Sequence, residues 1–210
     1  RDWSSDVCSS DLKNVLLYLA CTVALTWRVL MGKLIFTKLN HHADKSFTCG
    51  NPSIDKKVRD SYFLTLLHRC YAYEVTTENG IVLAYYQVQF KRFPITSFPE
   101  PIDEYSLDNY EDLYAFHIEY LAVRKEYQHR KIGSKVLQHI LGKIQSSHKD
   151  CPFRLVTINA LEEKVPWYET SFGFKKVGRD GDDPETELMI IDLIPPENLK
   201  LLAEYDDIVS

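Results

Sequence analysis

The segment Tyr114–Leu137, YAFHIEYLAVRKEYQHRKIGSKVL, decides the fold, because it runs from a strand to a helix through a turn crowded with basic side chains. Tyr114 to Val123 reads as a central strand, in which alternation puts His117, Glu119, Leu121 and Val123 on one face. Ile132, Val136, Leu137, Ile140, Leu141 and Ile144 recur at helical spacing and mark an amphipathic helix of about three turns. Arg124, Lys125, His129, Arg130 and Lys131 stand immediately before it, where the helix macrodipole opposes each exposed cation by roughly 0.3–1 kcal/mol. A phosphate at the helix N-terminus relieves that conflict. The free N–H groups of the first turn point at such an anion, and Gly133 lets the backbone approach it closely. An ordinary solvated basic turn is the other reading, and spacing alone leaves both open.

Upstream of this unit, Leu34, Phe36 and Leu39 with Ile35 and Thr37 read as a first strand. Asn51-Pro52-Ser53 starts a helix whose apolar stripe is Ile54, Val58, Tyr62 and Leu66. Tyr71 to Thr77 and Ile81 to Phe90 form a hairpin about the turn Glu78-Asn79-Gly80. The Pro-rich stretch 93–113 reads as a long acidic loop carrying Glu100, Asp103, Glu104, Asp108, Glu111 and Asp112. It attracts an amine if it covers an acceptor site, and is otherwise a solvated loop. Downstream come a strand from Arg154 to Ala160 and a short helix opening near Pro166. Phe174 to Gly178 and Leu188 to Leu193 read as strands, and a last helix falls at about 197–205. Alternating strands and helices in the middle with hairpins at both ends make a single mixed α/β domain.

The chain has 210 residues, 45% hydrophobic and 12% aromatic, which suits one domain with a real core and excludes disorder. Its formal charge of −5 argues against a nucleic-acid partner and fits a cationic small molecule. The five cysteines form no CxxC pair, so reduced cytoplasmic thiols are expected. His41, His42, His68, His139 and His148 show no ligand spacing, and no metal is expected.

The first methionine is Met31. Asp2 to Leu12, DWSSDVCSSDL, resembles a conceptual translation of a sequencing adapter. The apolar run Val15 to Trp27 is shorter than the roughly 20 residues a bilayer span needs. The expected division is therefore a non-native extension over residues 1–30 and a folded domain over 31–210, with no membrane segment.

Gln128-His129-Arg130-Lys131-Ile132-Gly133 resembles the Q/R-x-x-G-x-G/A signature of the GNAT superfamily of N-acetyltransferases. Gln128 and Gly133 match, and Lys131 stands where the first glycine is usual. That exchange is tolerable if the φ of Lys131 is negative, and its ammonium can itself reach a phosphate. Glu119 to Val123 is similar to the family strand that ends before this loop. Trp167-Tyr168-Glu169 with Gly173-Phe174 is similar to its "YE…GF" segment, and Met189 to Leu193 to its final strand. The resemblance spans residues 31–193. Phe47 to Asn51 with Ile54-Asp55 is locally similar to a branch that includes aminoacyl-tRNA-acetylating toxins.

The resemblance implies a mostly antiparallel sheet flanked by helices, with a V-shaped opening between the two middle strands. It implies acetyl-CoA as cosubstrate, with the diphosphate on Gln128, His129, Arg130, Lys131, Ile132, Gly133 and Ser134. The pantetheine arm would lie on the backbone of Leu121 and Val123 and on Asn159, just past the second strand. An alkylammonium is only about 0.1% neutral at pH 7, so a base is needed, and His117 and Glu119 are the candidates. Tyr168 is the candidate acid toward the departing sulfur. A small-molecule or peptide amine is the expected acceptor, with an aminoacyl-tRNA-acetylating toxin and a non-catalytic acetyl-CoA-binding module as alternatives. A homodimer fits the superfamily's habit.

Overall fold

A computed structural model describes residues 33–94, 112–148, 150–179 and 185–195, with 197, 198 and 201. The extension 1–30, loop residues 95–111 and most of the expected last helix lie outside these residues.

Seven strands form one sheet in the order β1-β2-β3-β4-β5-β7-β6. They are β1 (Ile35–Lys38), β2 (Tyr71–Thr76), β3 (Val82–Pro94), β4 (Asp112–Val123), β5 (Leu155–Leu161), β6 (Lys175–Gly178) and β7 (Thr186–Asp192). β4 and β5 pair in parallel, and the remaining ladders are antiparallel. The helices are α1 (Pro52–Leu66), α2 (Ile132–Ser147) and α3 (Val165–Phe172).

The stripe read in the sequence packs α2 as expected. Ile132, Val136, Leu137, Ile140 and Ile144 are buried against the sheet, each contributing roughly 1.5–3 kcal/mol relative to exposure. The helix is longer than three turns, running 16 residues to Ser147. α3 joins the same cluster through Val165 and Tyr168. α1 covers the opposite sheet face, where Val58 packs with Phe47, Tyr85, Tyr120 and Ala122.

Of the expected α1 stripe, Val58 is buried and Ile54 and Tyr62 pack beside it, but the buried face is rotated away from Leu66. Asp55, Val58, Ser61 and Thr65 are buried, whereas Leu66 is 58% exposed. Polar partners account for the rotation. Asp55 accepts from Cys49 N (2.8 Å) and Thr48 Oγ1 (2.6 Å), and Ser61 Oγ meets Gln87 Oε1 at 3.0 Å. Asn51 caps the helix by accepting from Ser53 N and Ile54 N.

β4 carries a β-bulge. Val88 pairs with Ile118 and Gln87 with Tyr120, which leaves Glu119 as the extra residue. This overturns the expected shared face of His117, Glu119, Leu121 and Val123. Beyond the bulge the alternation is reset. Leu121 and Val123 pack in the α2 cluster, while Tyr120 and Ala122 pack on the α1 side.

Candidate active site

The parallel ladder between β4 and β5 ends at Ile118 and Ile158. β4 continues to Val123 paired only with β3, and β5 continues to Leu161 paired only with β7. The two middle strands therefore part at Glu119, which is the V-shaped opening. Asn159 is the first β5 residue beyond the fork. It lies inside the strand, opposite Leu188.

The N-terminus of α2 stands beside this opening. Unlike α1, α2 has no side-chain cap at its N-cap residue Lys131, which leaves the first-turn N–H groups of Ile132, Gly133 and Ser134 without helical partners. A Cβ on Gly133 would meet Leu121 Cδ2 and Val123 Cγ2 at 3.7 Å, an ordinary contact. Packing thus does not demand glycine here; the bare Cα leaves room for a ligand.

His129 and Lys131 both have φ of 60°, so the expectation of a negative φ at Lys131 fails. Each such left-handed non-glycine residue costs about 1–2 kcal/mol. The alternation of left-handed residues just before a helix start turns successive N–H groups toward one concavity, an anion-binding arrangement. The side chains of His129, Arg130 and Lys131 are exposed around it, and the Arg130 guanidinium lies 5.5 Å from the Tyr127 ring centroid. An acetyl-CoA diphosphate fits this set of donors.

The Gln128 side chain is held by backbone carbonyls. Its Nε2 donates to Cys49 O (2.7 Å) and Val123 O (3.1 Å), tying the loop before α1 to the end of β4. Arg124 is likewise committed, to the Asp44 carboxylate and to Val82 O.

On the α1 side of the fork, Glu119 Oε1 accepts from Lys57 Nζ at 2.6 Å and Oε2 from Gln89 Nε2 at 3.0 Å. His117 Nε2 lies 3.4 Å from Oε2, and its Nδ1 is 2.8 Å from Thr157 Oγ1. Burial pushes the Glu119 carboxyl upward, but its contacts with His117 and Lys57 and the Lys57 charge outweigh it and hold the pKa at about 2. His117 is fully buried, so Glu119 is the member of the pair that meets solvent. Glu119 lines an open pocket of about 260 Å³ with Lys57, Asp60, Leu64, Gln87 and Gln89.

Tyr168 lies in α3 against Trp167 (centroids 4.6 Å apart) and Phe174 (5.6 Å). Burial pushes its phenol pKa up, so it stays protonated, and its hydroxyl has no hydrogen-bond partner among the described residues.

Lys57, Gln89 and Thr157 were not anticipated. Lys57 sits on what reads as a solvated helix face, and Thr157 meets His117 only because the two strands pair in that register. Among the described residues no cluster of three or more His, Cys, Asp or Glu could hold a metal ion. No helix among them is long and apolar enough to cross a membrane.

Residues 106–186 match the acetyltransferase (GNAT) domain family. Curated proteins give no match. Among solved structures, AtaT complexed with acetyl-methionyl-tRNAfMet superposes with a TM-score of 0.60 at 18% identity, covering 81% of this chain and 99% of that one. AtaTR bound with AcCoA gives 0.60 at 18% identity, covering 80% and 97%. The KacTA–DNA complex gives 0.56 at 15% identity, covering 82% and 99%.

These similarities overturn the expectation of a small-molecule or peptide acceptor with nucleic acid disfavoured. Net charge failed as a guide because the charge is unevenly spread. Residues 31–70 carry seven Lys or Arg against three Asp, and residues 124–135 carry five against one Glu. The two stretches touch, Lys125 N donating to Thr48 O at 2.9 Å. The excess acid falls elsewhere: five carboxylates and no cation in 95–111, and ten against one Lys in 180–210.

Proposed function

Given that the chain carries a GNAT acetyltransferase domain and is an N-acetyltransferase, we propose that it moves the acetyl group of acetyl-CoA onto the α-amine of an aminoacyl-tRNA. The observation that carries this reading is the Glu119 carboxylate at the fork, which lines an open pocket and already accepts from an ammonium, that of Lys57, at 2.6 Å. A carboxylate is a poor base toward an alkylammonium whose pKa is about 10.4, whereas an α-amine with a pKa of about 7.7–8.0 is already roughly a tenth neutral at pH 7. The basic stretches 31–70, which gives Lys57 to the pocket, and 124–135 supply attraction for a phosphate chain. The shared fold with AtaT, solved with acetyl-methionyl-tRNAfMet, supports the same acceptor class.

In this scheme the amides of Ile132, Gly133 and Ser134 hold the diphosphate, with His129, Arg130 and Lys131 around it. The backbone of Leu121 and Val123, together with Asn159, orients the pantetheine arm in the opening. Glu119 seats the acceptor amine, whose neutral form attacks the thioester carbon; the nitrogen becomes positively charged and strongly acidic as the C–N bond forms, and Glu119 takes its proton. His117, fixed by Thr157, positions Glu119. The C–S bond breaks as the C–N bond forms, and Tyr168 protonates the departing sulfur.

The test is to mix the protein with acetyl-CoA and bulk aminoacylated tRNA. The expected result is N-acetylaminoacyl-tRNA with one free thiol per acetyl group, and none with deacylated tRNA. Thiol release that ignores the aminoacyl group contradicts the assignment.

A further inference from the structure

We infer that Lys57 occupies the place of the acceptor's ammonium on Glu119, and that it thereby selects a tethered acceptor over a free small amine. The identity of the tethered acceptor rests on the reading above; the role of Lys57 does not.

Glu119 has three partners, and they are not alike. His117 is fully buried, and Gln89 is a neutral amide on the neighbouring strand. Lys57 alone among them is a cation on a flexible stem, and its side chain is 40% exposed. Its Nζ lies 2.6 Å from Oε1, while the other two partners share Oε2. A lysine ammonium and a protonated acceptor amine present the same head: one positive charge and up to three donors. A pocket that already seats an ammonium on its carboxylate is shaped for one.

The backbone under Lys57 cannot withdraw to make way. Ser61 Oγ lies 2.6 Å from Lys57 O and 3.0 Å from Gln87 Oε1, and it bonds the buried Tyr120 hydroxyl. Exchange must come from the side chain, and Asp60, three residues along the same helix face, offers the displaced ammonium another carboxylate.

The consequence is discrimination. A free amine that displaces Lys57 swaps one ammonium for another and gains little. An acceptor anchored elsewhere by its phosphates presents its amine at high effective concentration and wins the exchange. Lys57 is thus a specificity-determining residue that must leave Glu119 before transfer.

The experiment compares wild type with Lys57→Met and Lys57→Arg in a thiol-release assay, using acetyl-CoA and a panel of amino-acid amides as the acceptor probe. The expected result is a drop of at least tenfold in the KM of the amides for Lys57→Met, with the KM of acetyl-CoA within twofold of wild type. Lys57→Arg keeps the cation and keeps the high amide KM. An amide KM in Lys57→Met that is unchanged or higher, with only kcat reduced, means Lys57 merely braces Glu119 and overturns the proposal. Wild-type turnover of aminoacyl-tRNA is read alongside. Its absence with the amide gain present refutes the acceptor assignment alone; its presence without the gain refutes the role of Lys57 alone.

Discussion

His117 Nδ1 and Thr157 Oγ1 lie 2.8 Å apart, joining two residues that face each other across the parallel ladder one position before it ends. Both are fully buried. The contact therefore couples the architecture of the fork to the imidazole beside Glu119.

Thr157→Val keeps the shape and removes the hydroxyl, leaving the His117 nitrogen buried without its partner. A loss of about 1–3 kcal/mol in unfolding free energy is expected, measured by urea denaturation. A change below about 0.5 kcal/mol, the usual range of a surface substitution, means the contact does not carry weight.

Glu119 sets an acid limit on stability. Its folded pKa of about 2 lies below the ordinary 4.5, so its ionised form stabilises the fold fully above about pH 4.5. That contribution is lost as pH falls from 4.5 toward 2. At about 1.4 kcal/mol per pKa unit, and discounted for partial exposure, it amounts to roughly 2–3 kcal/mol. Glu119→Gln should flatten the decline in stability between pH 5 and 2.5. Parallel curves for the two proteins would show that the ion pair with Lys57 is not felt.

Tyr168→Phe removes the proposed donor to the sulfur and leaves the ring stack with Trp167 and Phe174 in place. General-acid contributions are typically 10²–10⁴-fold, so kcat should fall by about two orders of magnitude, with the acetyl-CoA KM changed less than about threefold. Steady-state kinetics decides the matter, and an undiminished kcat removes Tyr168 from the mechanism.

Gln128→Leu tests a brace rather than a ligand. Losing the bonds to Cys49 O and Val123 O should cost about 1–3 kcal/mol in a thermal or urea melt. Acetyl-CoA affinity should fall less than it does when a cation of the turn is removed. The reverse ranking would return Gln128 to the anion site.

How far the sequence reaches is clear from particular residues. The strand–turn–helix unit from Tyr114 to Ser147 was legible, because periodicity and the basic turn are local signals. The bulge at Glu119 was not, since one extra residue shows only when β3 supplies the register. The last turn of the α1 stripe was misread because hydropathy favours Leu66, while Ser61 and Thr65 go inside to meet polar partners. Lys57 and Glu119 are 62 positions apart, and no local pattern joins them. The partner class was misread for a related reason: a net charge averages over basic and acidic stretches that lie in different parts of the chain.

Everything proposed for catalysis requires the thioester to lie where β4 leaves β5, with its diphosphate on the uncapped start of α2. The most direct measurement is a titration of ¹⁵N-labelled protein with acetyl-CoA, followed through backbone amide shifts. The largest shifts are predicted at Ile132, Gly133 and Ser134, with a second group at Leu121 and Val123. Saturable binding that leaves these five amides in place and moves another part of the sheet would contradict the account.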